Sequence, residues 1–165
     1  MRNLSIDTDR EAATITATSE FDAPIDRVWQ LWADPRKLER WWGPPGYPAT
    51  VTEHDLRPGG RVFYYMTSPD NQRYYGLWNV FTVDAPTGLE VEDAFADENG
   101  NVSTELPSPK MQVSLSETEG GTRMVIHSVY PSTEAMEKVL EMGVVEGLKA
   151  AMSQIDPILE EMAAA

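Results

Sequence analysis

The amino-acid sequence predicts the α+β class, with an antiparallel sheet of about six to seven strands and helices packed on one of its faces. Three observations support this prediction. One strand-like segment and two short helices come first, about six strand-like segments joined by short turns follow, and a long amphipathic helix ends the chain. Strands joined by tight turns pair antiparallel. Helices that are gathered together, rather than alternating with strands, are typical of this class.

The N-terminal part predicts one strand and two helices in tandem. The polar segment Met1–Glu11 is expected to be a loose arm or an edge strand, and the alternating segment Ala13–Phe21 is expected to be the first strand of the core. Pro24 ends that strand and opens a helix, because proline is well accommodated at the start of a helix. Asp34-Pro35 ends this helix, and a second short helix is predicted at Arg36–Trp42.

The middle of the chain consists of strand-like segments separated by turn-forming residues. Runs such as Arg57-Pro-Gly-Gly60 and Ser68-Pro-Asp-Asn71 are strong turn signals. A longer polar loop is expected at Asp97–Pro109, and Thr118-Glu-Gly-Gly121 is typical of a hairpin loop. The predicted strands are Thr50–Leu56, Arg61–Thr67, Arg73–Val83, Leu89–Ala96, Met111–Glu117 and Thr122–Tyr130.

The segment Ala135–Met162 carries a wide, Met-rich apolar stripe at helical spacing and predicts a long helix over the sheet. Ser132 or Thr133 is expected to cap its N-terminus. Gly143 and Gly147 lower helix propensity, so close approach of another group is the expected reason for them. Asp156-Pro157 is expected to kink or interrupt the helix.

Composition excludes several classes of function. The 165 residues include 27 acidic and 13 basic side chains, giving a formal net charge of −14. That balance opposes binding to nucleic acid and to anionic membranes, since both require clustered Lys and Arg. The chain has no cysteine, which excludes disulfides and thiolate metal sites. No apolar run approaches the ~20 residues of a membrane span, and a cytoplasmic protein is expected. The chain is expected to form a single domain with its core at about residues 12–162.

A series of short motifs resembles one protein family. In chain order they are Phe21-Asp-Ala-Pro24, Val28-Trp29, Ala33-Asp-Pro35, Trp41-Trp-Gly-Pro44, Asp55-Leu-Arg-Pro-Gly-Gly60, Phe95-Ala-Asp97, Glu98-Asn-Gly100, Gly121-Thr122-Arg123, Met142-Gly143 and Glu146-Gly147. Together they resemble the heat-shock-protein-90 ATPase activator-like branch of the START-like (SRPBCC) superfamily. The resemblance runs from Thr14 to Met162. One departure is Leu148, where this branch often carries Trp, which suggests a larger or more aliphatic pocket.

The resemblance implies a helix-grip fold, in which a curved antiparallel sheet grips the long C-terminal helix and encloses a cavity beside the two short helices. Families with this fold mostly bind apolar or amphipathic small molecules, and some cyclise or dehydrate polyketides. The expected partner is therefore a small hydrophobic or amphipathic molecule. The protein is expected to be a monomer or homodimer and to need no cofactor.

The candidate ligand-binding residues are those that strand alternation and helical spacing direct toward such a cavity, with Trp42 at its entrance. They are Trp42, Val62, Tyr64, Met66, Tyr74, Trp78, Asp93, Phe95, Met111, Val113, Met142, Gly143, Glu146 and Leu148. The alternative interpretation is that these side chains fill a packed core.

Two carboxylates are candidates for proton transfer. Asp93 shares a strand face with apolar residues and Glu146 neighbours the helix glycines, so either would have a raised pKa inside an apolar cavity. The alternative is that each is hydrogen-bonded to Arg, Tyr or backbone groups, or points to solvent. His127 and His54 do not have metal-ligand spacing, and His54 is expected to pair with Glu53 or Asp55. No residue is assigned a catalytic role from sequence, and no metal site is expected.

Three functions therefore stay open. The first is a small-molecule-binding protein. The second is a polyketide cyclase or dehydratase that uses Asp93, Glu146 or Tyr64 in proton transfer. The third is a protein module that assists a chaperone, which would expose a partner surface.

Overall fold

The computed structural model describes residues 1–105 and 108–164 and confirms the α+β class. Two residues of the predicted loop at 97–109 lie outside the described residues. The strands within the described part are β1 (Arg2–Asp9), β2 (Thr14–Phe21), β3 (Ala49–His54), β4 (Arg61–Thr67), β5 (Arg73–Asp84), β6 (Gly88–Ala96), β7 (Lys110–Thr118) and β8 (Gly121–Val129). The helices are α1 (Ile25–Ala33), α2 (Pro35–Trp41), α3 (Thr133–Glu141), α4 (Val144–Met152) and α5 (Ile155–Ala164).

All eight of these strands form one antiparallel sheet in the order β1-β2-β8-β7-β6-β5-β4-β3. Strands β3 to β8 follow one another as hairpins, and the α1–α2 pair carries the chain from β2 near one edge to β3 at the other. The register shifts between Val51 and Glu53 in β3 and between Val80 and Thr82 in β5. Such irregularities bend a sheet, and the curved sheet wraps around the helices.

The polar N-terminal segment is an edge strand rather than a loose arm. Strand β1 pairs with β2 from Arg2 to Asp9, although most of its side chains are exposed. Strand β1 is therefore held in place mainly by its backbone hydrogen bonds to β2 and less by burial of its side chains. This strand raises the count to one more than the upper end of the prediction.

The C-terminal region is helical as predicted, but it breaks into three helices. Gly143 has a φ of 83°, a left-handed conformation that ends α3 and begins α4. An added Cβ at Gly143 would be 3.8 Å from Glu146, and one at Gly147 would have no neighbour within 4 Å. The expectation of close packing at both glycines is therefore wrong. Gly143 serves the backbone turn.

The second break lies just before Asp156-Pro157, so Pro157 falls in the first turn of α5, where its missing N–H is tolerated. Ser132 caps α3, as one of the two predicted candidates, by accepting a hydrogen bond from the Ala135 N–H at 3.1 Å. Gln154, in the link between α4 and α5, donates to the carbonyl of Gly43 at 2.7 Å. This hydrogen bond fixes the link against the end of α2.

The buried residues form two clusters beneath the helices. The main cluster joins the concave face of the sheet to α1, α2 and α5, and it contains the fully buried Trp32, Trp41 and Trp78. A smaller cluster lies beneath α3 and includes Tyr130, Met136 and Val139. Helix α4 lies between the two clusters and buries little besides its last two residues, Ala151 and Met152.

Candidate functional site

A cleft of about 280 Å³ lies between the concave face of the sheet and the α3–α4 segment. Its wall is mostly apolar, and its main polar groups are the Asp93 carboxyl, the Ser128 hydroxyl and tyrosine hydroxyls. Among the described residues, no Lys, Arg or His lines it. Tyr74 and Met142 on its wall are 55% and 56% exposed, which marks the opening of the cleft to solvent.

Most of the candidate residues lie on this wall. They are Trp42, Tyr64, Met66, Tyr74, Asp93, Phe95, Met111, Met142 and Leu148. Val62, Trp78 and Val113 do not line the cleft and are buried in the adjoining core. Their role as ligand contacts, like that of the wall residues, stays a prediction.

Two candidates on the helical side lie off the cleft wall. Gly143 forms the turn between α3 and α4, next to the wall residues Met142 and Val144. Glu146 is exposed, although the neighbouring Gly147 and Leu148 line the cleft. The expectation of a carboxylate buried in an apolar cavity is therefore wrong for Glu146, since the turn at Gly143 sets the phase of α4 and leaves this side chain in solvent.

The sheet register positions the polar floor of the cleft, which consists of Asp93 and Tyr64 with the adjoining Trp42 and Trp78 rings. Trp78 on β5 lies directly opposite Asp93 on β6, and Tyr64 on β4 lies opposite Gly76 on β5. Directly opposed residues project from the same face, with their Cβ atoms about 4.5–5.5 Å apart. An added Cβ at Gly76 would lie 2.3 Å from the Tyr64 hydroxyl oxygen. Gly76 thus makes the room in which the Tyr64 ring crosses β5.

Asp93 is the one carboxylate on the cleft wall within the described part of the chain. Burial raises the pKa of Asp93 from 3.8 to about 7, and the Trp78 indole opposes part of this rise. Burial first, and the Asp93 charge second, also raise the pKa of Tyr64 and of Tyr130. Asp93 is half-buried and lines the cleft. Both protonation states of its carboxyl group are therefore accessible near neutral pH.

Three aromatic rings next to Asp93 pack edge to face. The Trp42 and Trp78 ring centroids are 5.0 Å apart at 89°, and Tyr64 lies 6.4 Å from Trp42 and 6.3 Å from Trp78. The indole nitrogens of Trp42 and Trp78 are buried, and neither has a hydrogen-bond partner among the described residues. The Trp78 N–H is near enough to the Asp93 carboxyl to favour its ionised form, and the Trp42 and Trp78 N–H groups both lie near the Tyr64 hydroxyl, but none of these pairs forms a hydrogen bond. Both indole N–H groups are therefore unpaired within the described residues, beside the Asp93 carboxyl and the Tyr64 hydroxyl.

The two histidines lie in structural positions. His127 Nδ1 is 2.8 Å from the Thr16 hydroxyl, across the β2–β8 pair. His54 Nε2 is 3.0 Å from the backbone carbonyl of Trp32, not paired with either neighbouring acid. The described residues contain no group of three or more His, Cys, Asp or Glu side chains that could hold a metal ion. None of the helices described is long and apolar enough to cross a bilayer.

Comparison with known proteins places this geometry in a family. Residues 22–160 match the family described as activator of Hsp90 ATPase homolog 1-like protein. The chain belongs to this family. No protein of curated function is detectably similar in sequence.

Solved structures of similar proteins agree with the Hsp90-activator-like assignment. A crystal structure of a Mycobacterium smegmatis protein is 47% identical, with a TM-score of 0.87 over 95% of this chain and 97% of that one. A solution structure from Arthrobacter aurescens is also 47% identical, with a TM-score of 0.90 over 95% of this chain and 91% of that one. A solution structure from Staphylococcus epidermidis is 26% identical, with a TM-score of 0.83 over 96% and 94%.

One motif that resembles the Hsp90-activator-like family fixes the rim of the cleft. In Trp41-Trp-Gly-Pro44, the Trp41 indole donates to the Leu31 carbonyl at 3.0 Å and so ties α2 to α1. An added Cβ at Gly43 would lie 2.1 Å from the Tyr47 carbonyl oxygen, so the chain can turn here only without a side chain. Trp42 and Pro44 are thereby held on the cleft wall.

Sequence reasoning missed several wall residues of this Hsp90-activator-like chain. They are Ile15, Pro44, Tyr75, Gly76, Ala94, Pro109, Ile126, Ser128, Tyr130, Val139, Val144, Gly147 and Ala151. Those in and just after β8 were detectable, because strand alternation puts Ile126, Ser128 and Tyr130 on one face. The helical ones belong to the apolar stripe of Ala135–Met162, but the stripe does not show which of its residues face an open cleft and which are packed in the core.

Proposed function

We propose that this protein binds a small apolar or amphipathic molecule in the cleft beneath α4. The observation that carries the proposal is an apolar space of about 280 Å³ with one carboxyl group in its wall. This volume is close to the lower end of the roughly 300–1,000 Å³ found for small-molecule sites. Met66, Met111 and Met142 on the wall supply flexible, polarizable surface that adapts to ligand shape.

Binding of a neutral fluorescent dye tests the proposal. N-phenyl-1-naphthylamine is expected to gain fluorescence on binding the wild-type protein, and Leu148→Trp is expected to weaken that binding by about 10-fold or more, equivalent to about 1.4 kcal/mol. Leu148 lines the cleft, so the larger side chain would occupy the ligand space.

Lys149→Trp is the matched control, since Lys149 is exposed on the same helix and does not line the cleft. Equal dye binding by both variants, or none by the wild type, would contradict the proposal. Independently of the dye experiment, native mass spectrometry of protein purified from its host would detect any small molecule that the protein retains.

A second candidate function is proton-transfer catalysis of the cyclase or dehydratase type. Asp93 supports it, because a carboxyl group whose pKa lies at about 7 can both give and take a proton near neutral pH. Glu146 has no place in this mechanism, since it is exposed. Asp93→Asn separates the two functions: lost turnover with unchanged ligand affinity would support the enzyme.

The third hypothesis, assistance to a chaperone, takes its support from the family description. It predicts stimulation of the ATPase activity of an Hsp90-type chaperone from the same host. An ATPase assay with and without the protein tests this directly.

A further inference from the structure

The polar side-chain atoms that a ligand can reach on the described part of the cleft wall are all oxygens. The Trp42 indole nitrogen is the one exception in composition, but it has almost no accessible surface. The other polar side chains end in a carboxyl or a hydroxyl group, and they are Tyr64, Tyr74, Tyr75, Asp93, Ser128 and Tyr130. A carboxylate only accepts hydrogen bonds, and a hydroxyl oxygen can accept as well as donate. The wall therefore suits a head group that donates several hydrogen bonds.

The Asp93 carboxylate has no protein cation beside it. Among the described residues, no Lys, Arg or His lines the cleft. Burial and the nearby Trp78 N–H are the two influences that shift the pKa of Asp93, and no basic side chain contributes to the shift. A carboxylate that is removed from water without a counter-ion is unfavourable. The missing positive charge can therefore come from a ligand.

Of three simple head groups, a protonated amine suits both features of the wall. A carboxylate or phosphate would place a second negative charge beside Asp93. A hydroxyl could donate one hydrogen bond, but it would leave the charge of Asp93 uncompensated. A primary ammonium group carries the opposite charge and three donors, with no acceptor to satisfy. Its hydrogen bond to a carboxylate is charge-assisted, and such bonds are roughly twice as strong as those between neutral groups.

We infer that the cleft selects a ligand with a protonated primary amine on an otherwise apolar body, and that this amine pairs with the Asp93 carboxylate. Burial first, and the Asp93 charge second, raise the pKa of Tyr64 and of Tyr130, so both hydroxyls lie near the carboxylate. Their oxygens can accept the remaining N–H groups of the amine. The formal net charge of −14 also attracts a cationic ligand. This inference rests on the proposed small-molecule binding and specifies the ligand class.

The test uses three probes that share a phenylalkyl skeleton and differ in the head group: 4-phenylbutylamine, 4-phenyl-1-butanol and 4-phenylbutyrate. Binding to the wild-type protein is measured by displacement of N-phenyl-1-naphthylamine at about pH 8, where the amine and the acid are charged. The amine is expected to bind about 10-fold or more tightly than the alcohol. The acid is expected to bind more weakly than the alcohol.

Asp93→Asn is expected to remove most of the preference for the amine over the alcohol, because it keeps the shape of the side chain and removes its charge. Alcohol binding is expected to be retained, which checks that this variant is folded. Glu141→Gln is the matched control. It also removes one negative charge, at the exposed end of α3 beside the wall residue Met142, but Glu141 does not line the cleft. This control is expected to keep the preference for the amine.

The pH dependence of binding supplies a second readout on the wild-type protein. Burial raises the pKa of Asp93 from 3.8 to about 7, so the ionised fraction rises between about pH 6 and about pH 8 while an alkyl amine stays protonated. The preference for the amine over the alcohol is therefore expected to increase about 10-fold over this range.

No other titratable group on the described wall accounts for such a change. The remaining ones are Tyr64 on β4, Tyr74 and Tyr75 on β5, and Tyr130 after β8, whereas α3 and α4 contribute none. A tyrosine hydroxyl ordinarily ionises at about pH 10, above the range of the experiment.

The possible failures are distinguishable. If the dye and all three probes fail to bind, the proposed function itself is wrong. If the alcohol matches the amine, or if the acid binds most tightly, the amine inference is overturned and small-molecule binding stands. A preference for the amine that survives in Asp93→Asn, or that does not change with pH, would overturn the pairing with Asp93.

Discussion

Asp93→Asn is expected to change the way stability depends on pH. The substitution replaces an ionisable group on the cleft wall by a neutral one of nearly the same shape. Burial raises the pKa of Asp93 from 3.8 to about 7, so the folded protein holds this proton more tightly than the unfolded chain does. A group of this kind opposes folding increasingly as the pH rises through the interval between its unfolded and folded pKa values.

The size of the effect follows from that interval. Each pKa unit corresponds to about 1.4 kcal/mol, so the wild-type protein is expected to lose about 4 kcal/mol of unfolding free energy through Asp93 between about pH 4 and about pH 8. The asparagine side chain is neutral throughout and escapes this loss. The variant is therefore expected to gain stability relative to the wild type by the same amount across this range.

Urea titrations of both proteins at several pH values measure the difference. Other ionisable groups contribute equally to wild type and variant, so subtracting the two curves isolates Asp93. Asp84→Asn is the matched control, because it makes the same chemical change at the exposed end of β5, away from the cleft. A constant difference for Asp93→Asn would refute the reasoning, since it would mean that Asp93 ionises as readily when folded as when unfolded.

Three glycine substitutions test the backbone around the cleft, each by thermal or urea unfolding. Gly76→Ala is expected to lower the free energy of unfolding by about 1–3 kcal/mol, because the new Cβ would lie 2.3 Å from the Tyr64 hydroxyl oxygen; unchanged stability would mean that Tyr64 does not cross β5. Gly147→Ala is expected to raise it by up to about 1 kcal/mol, since no atom lies within 4 Å of the added Cβ, and a loss would contradict this. Gly143→Ala is expected to lower it by about 1–2 kcal/mol because φ is 83° there, and an unchanged midpoint would argue against the left-handed turn.

The sheet was predictable because its determinants are local. In β2, alternating polar and apolar residues fix which side chains are buried, and Ile15, Ala17 and Phe21 are buried as predicted. Strand β1 was harder, since its side chains are mostly exposed and its order comes from backbone pairing with β2. The composition of such a polar segment is the same in a loose arm and in an edge strand, so it does not distinguish between them.

The C-terminal helices mark the limit of pattern reasoning. A continuous helix and three helices separated by short turns share much of the same spacing, so the stripe around Met136 and Ile155 fitted both. Gly143 could signal either close packing or a left-handed turn, and the sequence offers no means of choosing between them. The side on which Glu146 lies depends on that choice and was predicted wrongly, whereas Met142 and Leu148 lie on the cleft wall.

The sequence predicts which side chains form the polar floor but not how they are oriented within it. Strand alternation directed Asp93 and Tyr64 to the concave face, and both lie on the cleft wall. The unused donors of Trp42 and Trp78 depend on side-chain torsions and on how three rings pack against each other. A residue pattern fixes the face from which a side chain projects but not these torsions.

The cleft persists because the two ends of the helical segment are anchored separately. Helix α3 buries Met136 and Val139 in one cluster, and α5 buries Ile155, Ile158 and Leu159 in the other. Helix α4 is held at both ends by these neighbours, so the fold does not need its middle to pack tightly on the sheet. The absence of any atom within 4 Å of an added Gly147 Cβ fits this arrangement. The cleft is therefore open because the packing of α3 and α5 sets the position of α4. It is not open because the chain lacks apolar side chains to fill it.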